Sequence, residues 1–118
     1  MVSAPLTVDD PEDRKILTLA RATRARTRAP EGASVRDQDG RTYAAATVAL
    51  PSFSVTALQL AVAMAVSSGA TGLEAAALST DGEGVSDVDL AAVRDLAGPG
   101  VPVLVADAQG TPHTRVAS

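Results

Sequence analysis

The sequence predicts one α/β layered domain: a mixed sheet with helices on both faces. Three observations predict it. Capped segments of helical period alternate with short apolar runs in the order α-β-β-α-β-α-β-β. A hairpin signal comes first and strand–helix–strand crossovers follow, so the last central strands should run parallel. The length, 118 residues, suits a single compact domain, and 46% hydrophobic residues suffice for a core. With only 2% aromatics, that core must be packed from Ala, Val and Leu.

Each element has its own warrant. Asp10 caps the first helix, Pro11 suits its first position, and Glu12 and Asp13 favour its positive end. Ile16, Leu19, Ala20 and Thr23 form one face, and the helix should end before Pro30. Strands over about Ala33–Arg36 and Arg41–Ala49 flank the turn "DQDG", and "PSFS" at Pro51–Ser54 reads as a loop. "VTALQLAVAMAVSSG" is a helix apolar almost all round, hence buried, capped by Thr56 and stopped at Gly69. A short buried strand follows at Leu73–Leu78. Ser86 caps the third helix, with Asp89 where a capping-box acid stands, and Gly98-Pro99-Gly100 ends it. "VPVLVAD" is the clearest strand, and "TPHTRVAS" adds a short edge strand. Residues 1–9 and 111–118 are expected to be flexible ends of the single domain 1–118.

Composition excludes several chemistries. There is no cysteine, so disulfides, thiolate metal sites and cysteine nucleophiles are ruled out, and His113 is the single histidine. The start of the chain lacks a signal-peptide pattern, and the apolar stretch Val55–Val66 is too short to span a bilayer. A soluble cytoplasmic protein with no membrane association and no cofactor is expected. The net charge of −4 hides an asymmetry: only basic charges lie between Arg14 and Arg28, and acids dominate after Pro30.

The order and spacing of elements resemble the small cytidine deaminase family over roughly Arg14 to Gly110. The counterparts of its motifs read "ATVALPSFSVTALQLAVAMAVSSGA", "LSTDGEGVSDVDLAAVRDLA" and "VPVLVADAQG", and Gly40, Pro51-Ser52-Phe53, Thr56 and Ser86 match its framework. The resemblance implies a three-layer α/β/α sandwich with a mixed five-stranded sheet. It places the family's zinc ligands at Leu58, Val88 and Ala91, its catalytic Glu at Leu60, and its ribose contacts at Thr47 and Ala49. Zinc needs electron-pair donors in a tetrahedral set, and the catalytic acid must carry a proton. These side chains do neither, and a slip of one place brings in only Ala57 or Gln59. A degenerate, catalytically inactive member is therefore expected, with Leu58, Val88 and Ala91 packed where the metal would join two helix ends. The family also implies a homo-oligomer, dimer or tetramer, with Pro51 and Phe53 as interface candidates.

Other candidates divide between function and plain structure. Arg14, Arg21, Arg24 and Arg28 form a candidate strip for a protein or anionic partner, though a solvated helix face explains them too. No aromatic side chains accompany them to stack bases. Asp81, Glu83, Asp87 and Asp89 cluster around a turn, but helix capping accounts for them better than a cation site. Ser52, Ser54 and Thr56 lack a base to activate them, and His113 is a lone residue in a polar tail. Three functions stay open at this point: a scaffold or interaction module, a nucleoside-binding module without zinc, and a hydrolase by similarity alone.

Overall fold

The computed structural model describes residues 6–118. It contains helices α1 (Pro11–Thr27), α2 (Ala57–Ser67) and α3 (Asp87–Ala97). The five-stranded sheet is built from β1 (Glu31–Asp37), β2 (Thr42–Ala46), β5 (Leu73–Thr80), β6 (Pro102–Ala106) and β7 (Pro112–Ala117). Its spatial order is β2-β1-β5-β6-β7. The β5–β6 pair is parallel and the others are antiparallel, the mixed sheet that the crossover order predicts.

Alternation along the strands sorts side chains into two cores. Ala33, Val35, Ala76, Leu78 and Val103 face α2 and α3, where Leu58, Ala61, Ala65 and Val93 complete the larger core. Ala75, Ala77, Leu104 and Ala106 face α1 and pack with Ile16, Leu17 and Ala20. Central strands buried on both sides need small or aliphatic residues at every position, which the Ala-Val-Leu composition supplies. Gly32 belongs to the same economy of space. A Cβ there would collide with the Ala20 carbonyl and the Arg24 side chain, so the missing side chain lets α1 lie close on β1.

Helix ends follow the expected chemistry. The Asp10 carboxylate accepts from the Glu12 N–H at 2.9 Å. Thr56 and Gln59 complete a reciprocal capping box at the start of α2. Beyond α2, Gly69 at φ 94° turns the chain, and the Ala70 N–H reaches back to the Ala65 carbonyl at 2.9 Å.

Several elements differ from the sequence expectation. The second strand ends at Ala46 rather than Ala49. The Thr47 N–H donates to the carbonyl of Glu31, the first residue of β1, and the chain then leaves the main sheet. The expected loop "PSFS" is half strand: β3 (Val48–Leu50) and β4 (Phe53–Val55) form a separate hairpin turning at Pro51-Ser52. On α1 the deep positions include Leu17, while Leu19 is only half-buried. Helix α2 is covered on one face alone, leaving Met64 and Val66 exposed. The C-terminal segment expected to be loose is β7, paired along β6, and the Leu6 N–H donates to the Pro112 carbonyl at 2.8 Å. Residues 1–5 lie outside the described residues.

Candidate functional site

The N-termini of α2 and α3 converge at one end of the sheet, and what joins them is polar. The Thr56 hydroxyl donates to the Asp89 Oδ1 at 2.6 Å. The same hydroxyl oxygen accepts from the Gln59 N–H at 3.1 Å, and the Asp89 N–H donates to the Ser86 Oγ at 3.2 Å. Asp89 is only 2% exposed. A buried carboxylate is costly unless hydrogen-bonded. Here it belongs to the first turn of α3 and is bonded to the N-cap of α2, so the positive ends of two helix dipoles favour it.

This arrangement corrects two expectations. Asp89 stands in the capping-box place but sends its carboxylate to Thr56, not back to its own helix; the complete box belongs to α2. The apolar plug does not form either. Leu58 is fully buried in the core, but Val88 is 59% exposed and Ala91 only half-buried, so the three do not share one buried site; Leu60 is half-buried. Position N2 of α3 faces outward while N3 turns inward, which places Asp89 rather than Val88 against α2.

Two hollows open beside this junction. One, of about 340 Å³, is lined by Glu31, Thr47, Thr56, Thr80 and Asp81. The other, of about 260 Å³, is lined by Thr47, Ala49, Ser54, Thr56 and Gln59. Their shared residues are Thr47 and Thr56, and hydroxyls, the Glu31 and Asp81 carboxylates and the Gln59 carboxamide stand in walls that are otherwise largely apolar, with Pro30, Val48, Ala49 and Val55 among them. Such polar groups orient a polar ligand by hydrogen bonds. Thr47 Oγ1 already accepts from the Glu31 N–H at 3.1 Å.

The remaining sequence candidates separate cleanly. Arg24 is drawn inward: it pairs with Asp81 at 2.8 Å and donates to Ser79 Oγ and the Ala29 carbonyl, each at 3.4 Å. Arg14 donates to the Val8 carbonyl at 3.4 Å. Arg21 and Arg28 are exposed and make no ion pair among the described residues. Glu83 and Asp87 are exposed, and no three His, Asp or Glu side chains among the described residues gather as a metal site. His113 lies half-buried on β7, with Nδ1 2.8 Å from the Thr114 hydroxyl. Pro51 and Phe53 are exposed on the β3–β4 hairpin, together with Leu50.

A second polar centre escaped the sequence reading. The fully buried Asp37 carboxylate accepts from the Tyr43 hydroxyl at 2.8 Å and from the Asp39 and Arg41 N–H groups, each at 2.9 Å. Burial pushes this carboxyl up, but the hydrogen bonds from Tyr43, Arg41 and Asp39 outweigh it and hold it below the ordinary carboxylate range. The Tyr43 phenol is raised, first by its bond to Asp37 and then by burial. Arg36 is a comparable structural pair: burial lowers it, yet Glu74 at 2.9 Å and Asp13 at 3.0 Å raise it overall. Both centres brace β1 and lie apart from the hollows.

A model of the cytidine deaminase-like family matches residues 9–110. The chain belongs to the cytidine deaminase-like family. Among solved structures, it is similar to the cytidine deaminase of Burkholderia pseudomallei, with a TM-score of 0.73 and 18% identity over 88% of this chain and 89% of that one. The cytidine deaminase of Mycobacterium leprae gives 0.71 and 18% over 92% and 94%. A mutant cytidine deaminase from Mycobacterium tuberculosis gives 0.65 and 19% over 84% and 85%. No curated protein matches the chain by sequence. At these identities the likeness establishes the cytidine deaminase-like fold and nothing finer. Within that fold, the residues at the positions that the resemblance assigns to zinc do not fit it. Leu58, Val88 and Ala91 carry no electron-pair donor, and the nearest polar pair, Thr56 and Asp89, is engaged with itself. No helix among the described residues is long and apolar enough to cross a membrane.

Proposed function

We propose that this chain is a non-catalytic cytidine deaminase-like protein that acts as a scaffold or interaction module in the cytoplasm. The observation that carries the reading is the junction of α2 and α3. Aliphatic side chains occupy the places assigned to the metal and the proton carrier, and a Thr56–Asp89 hydrogen bond ties the two helix ends together. With no cysteine in the chain, no thiolate set can be recruited from elsewhere in it. Purified protein should contain well below one zinc per chain by metal analysis and should not deaminate cytidine. Stoichiometric zinc accompanied by cytidine deamination would overturn the proposal.

Assembly with further copies of itself is part of the reading. Leu50, Phe53, Met64 and Val66 are exposed on the β3–β4 hairpin and the outer face of α2. Large exposed apolar side chains on these two elements favour a protein interface. Light scattering should give a dimer or tetramer that Phe53→Asp dissociates; a monomer at micromolar concentration refutes this part.

The two hollows at Thr47 and Thr56 favour one alternative, a nucleoside-binding module without chemistry. A thermal-shift screen with nucleosides and nucleotides separates the readings, because a ligand that binds only the folded state raises the melting midpoint.

A further inference from the structure

A groove runs along the outer side of α1, on the opposite face of the sheet from the α2–α3 junction. Its first part, a hollow of about 350 Å³, lies between Arg14, Leu17 and Arg21 of α1 and Val8, Gln109 and Pro112. Its second part, about 300 Å³, lies between Arg21, Arg24 and Arg28 on one side and Ala108 on the other. Arg21 belongs to both, so the hollows are successive stretches of one groove between α1 and the turn after β6.

The three arginines recur every seven residues. At the helical rise this spaces Arg14 and Arg21 by about 10 Å along one face of α1, and Arg28, at the C-cap, lines the far stretch of the groove. Their side chains are held in different ways but point to one use. Gly110 leaves room for the Arg21 stem: a Cβ there would lie 2.7 Å from the Arg21 Cδ. The stem is thus seated while its guanidinium makes no ion pair among the described residues. Arg28 adopts the left-handed conformation at φ 55°, where glycine is the usual residue, and so a charge is kept at a strained place. Arg24, spaced off this series, also lines the second hollow, but its guanidinium is paired with Asp81 at 2.8 Å.

The chemistry of the groove selects its occupant. Residues 11–28 hold six of the ten basic residues and only two of the fourteen acids, so the groove attracts anions although the chain is net −4. Nucleic acid fits poorly. The lone Tyr and the lone Phe lie elsewhere, leaving no aromatic platform, and the acidic remainder of the chain opposes a long polyanion. The first hollow, moreover, has an apolar floor at Leu17, Val8 and Pro112, which suits an aliphatic side chain and not a phosphodiester.

We propose that the Arg14–Arg21–Arg28 groove binds an acidic segment of a partner protein, with carboxylates about 10 Å apart and an aliphatic side chain between the first two. In a polyproline II segment, with three residues per turn and about 3.1 Å rise, every third residue returns to the same face at about that spacing. The proposal rests on the interaction-module reading and gives it a surface and a partner chemistry.

The test is fluorescence anisotropy on the full chain with a labelled peptide carrying Glu at every third position and Leu after the first Glu. A Gln-for-Glu peptide and an oligouridylate of equal charge serve as comparison probes. The acidic peptide should bind, weakening as salt rises from about 50 to about 200 mM. Arg21→Glu should weaken it at least about tenfold, while Arg26→Glu, the same charge change on the same helix outside the groove, should change it less than about twofold. Gln109→Glu should weaken binding without touching α1. Melting midpoints establish that each variant is folded. The proposal is overturned by no binding of the acidic peptide, by tighter binding of the oligouridylate, or by equal losses in Arg21→Glu and Arg26→Glu. A chain that contains zinc and deaminates cytidine, yet binds the peptide as described, would sink the non-catalytic reading and leave the groove standing.

Discussion

Replacing Thr56 by Val tests whether the polar junction holds α2 and α3 together. The change keeps the side-chain shape and removes one oxygen, and that oxygen has two roles. It caps α2 by accepting from the Gln59 N–H, and losing an N-cap costs about 1 kcal/mol. It also donates to the Asp89 carboxylate at 2.6 Å, and a hydrogen bond to a charged group contributes about 1.5–3 kcal/mol. Asp89 is nearly sealed from solvent, so water compensates little. The expected loss is about 3 kcal/mol, a fall in melting midpoint of roughly 10–15 °C for a domain of this size. Thr56→Ser, which keeps the hydroxyl, should lose less than about 1 kcal/mol. Chemical denaturation of Thr56→Val, Asp89→Asn and the double variant completes a cycle, with an expected coupling of about 1.5 kcal/mol. Additivity within about 0.5 kcal/mol would refute the reasoning, because the two residues would then stabilise the fold independently.

Three further outcomes follow from other parts of the structure. Asp37 has a depressed folded-state pKa, so its contribution is present above the unfolded carboxyl value and is lost as pH falls through the folded one. Asp37→Asn should therefore flatten the acid limb of a stability–pH profile, and an unchanged limb would show that the network is idle. The Ser34 hydroxyl is fully buried with no hydrogen-bond partner among the described residues, so Ser34→Ala should stabilise by about 1 kcal/mol in urea denaturation; a loss would reveal a partner. Arg28→Gly relieves the left-handed conformation and should stabilise by about 0.5 kcal/mol while weakening the acidic peptide. Stabilisation with unchanged binding would remove Arg28 from the groove.

Local chemistry made most of the fold legible. Asp10, Thr56 and Ser86 mark helix starts because a short polar side chain before an apolar-periodic segment has one main use. The run Val101–Ala106 reads as a strand because its neighbours bury both faces. The β3–β4 hairpin was not legible, because two three-residue strands around Pro51-Ser52 carry no periodicity and pair only with each other. Leu17 and Leu19 flank the same line on α1, and only contact with the sheet decides which goes deep. What joins the starts of α2 and α3 was not legible in the sequence. Asp89 has a sufficient local explanation as a capping acid, so nothing in the sequence directs it to Thr56, thirty-three residues away. Arg24 is the same case: helical periodicity groups it with Arg21 and Arg28, while its partner Asp81 arrives from the end of β5.

The Thr56–Asp89 junction gives the two converging helix N-termini a polar tie. Converging N-termini bring two positive dipole ends into proximity, and an apolar filling would leave that repulsion unanswered. A set of aliphatic side chains at Leu58, Val88 and Ala91 would have had this defect. One carboxylate from α3, hydrogen-bonded to the cap of α2, supplies negative charge where both dipoles favour it and satisfies a donor at the same time. Val88 is then free of any joining role, which accounts for its exposure. The geometry also separates the two faces of the molecule. Stability at the junction depends on Thr56 and Asp89, whereas the groove on α1 lies across the sheet and shares no residue with it. Thr56→Val should accordingly leave peptide binding unchanged wherever the protein is folded, and coupled losses would mean that one function spans both faces.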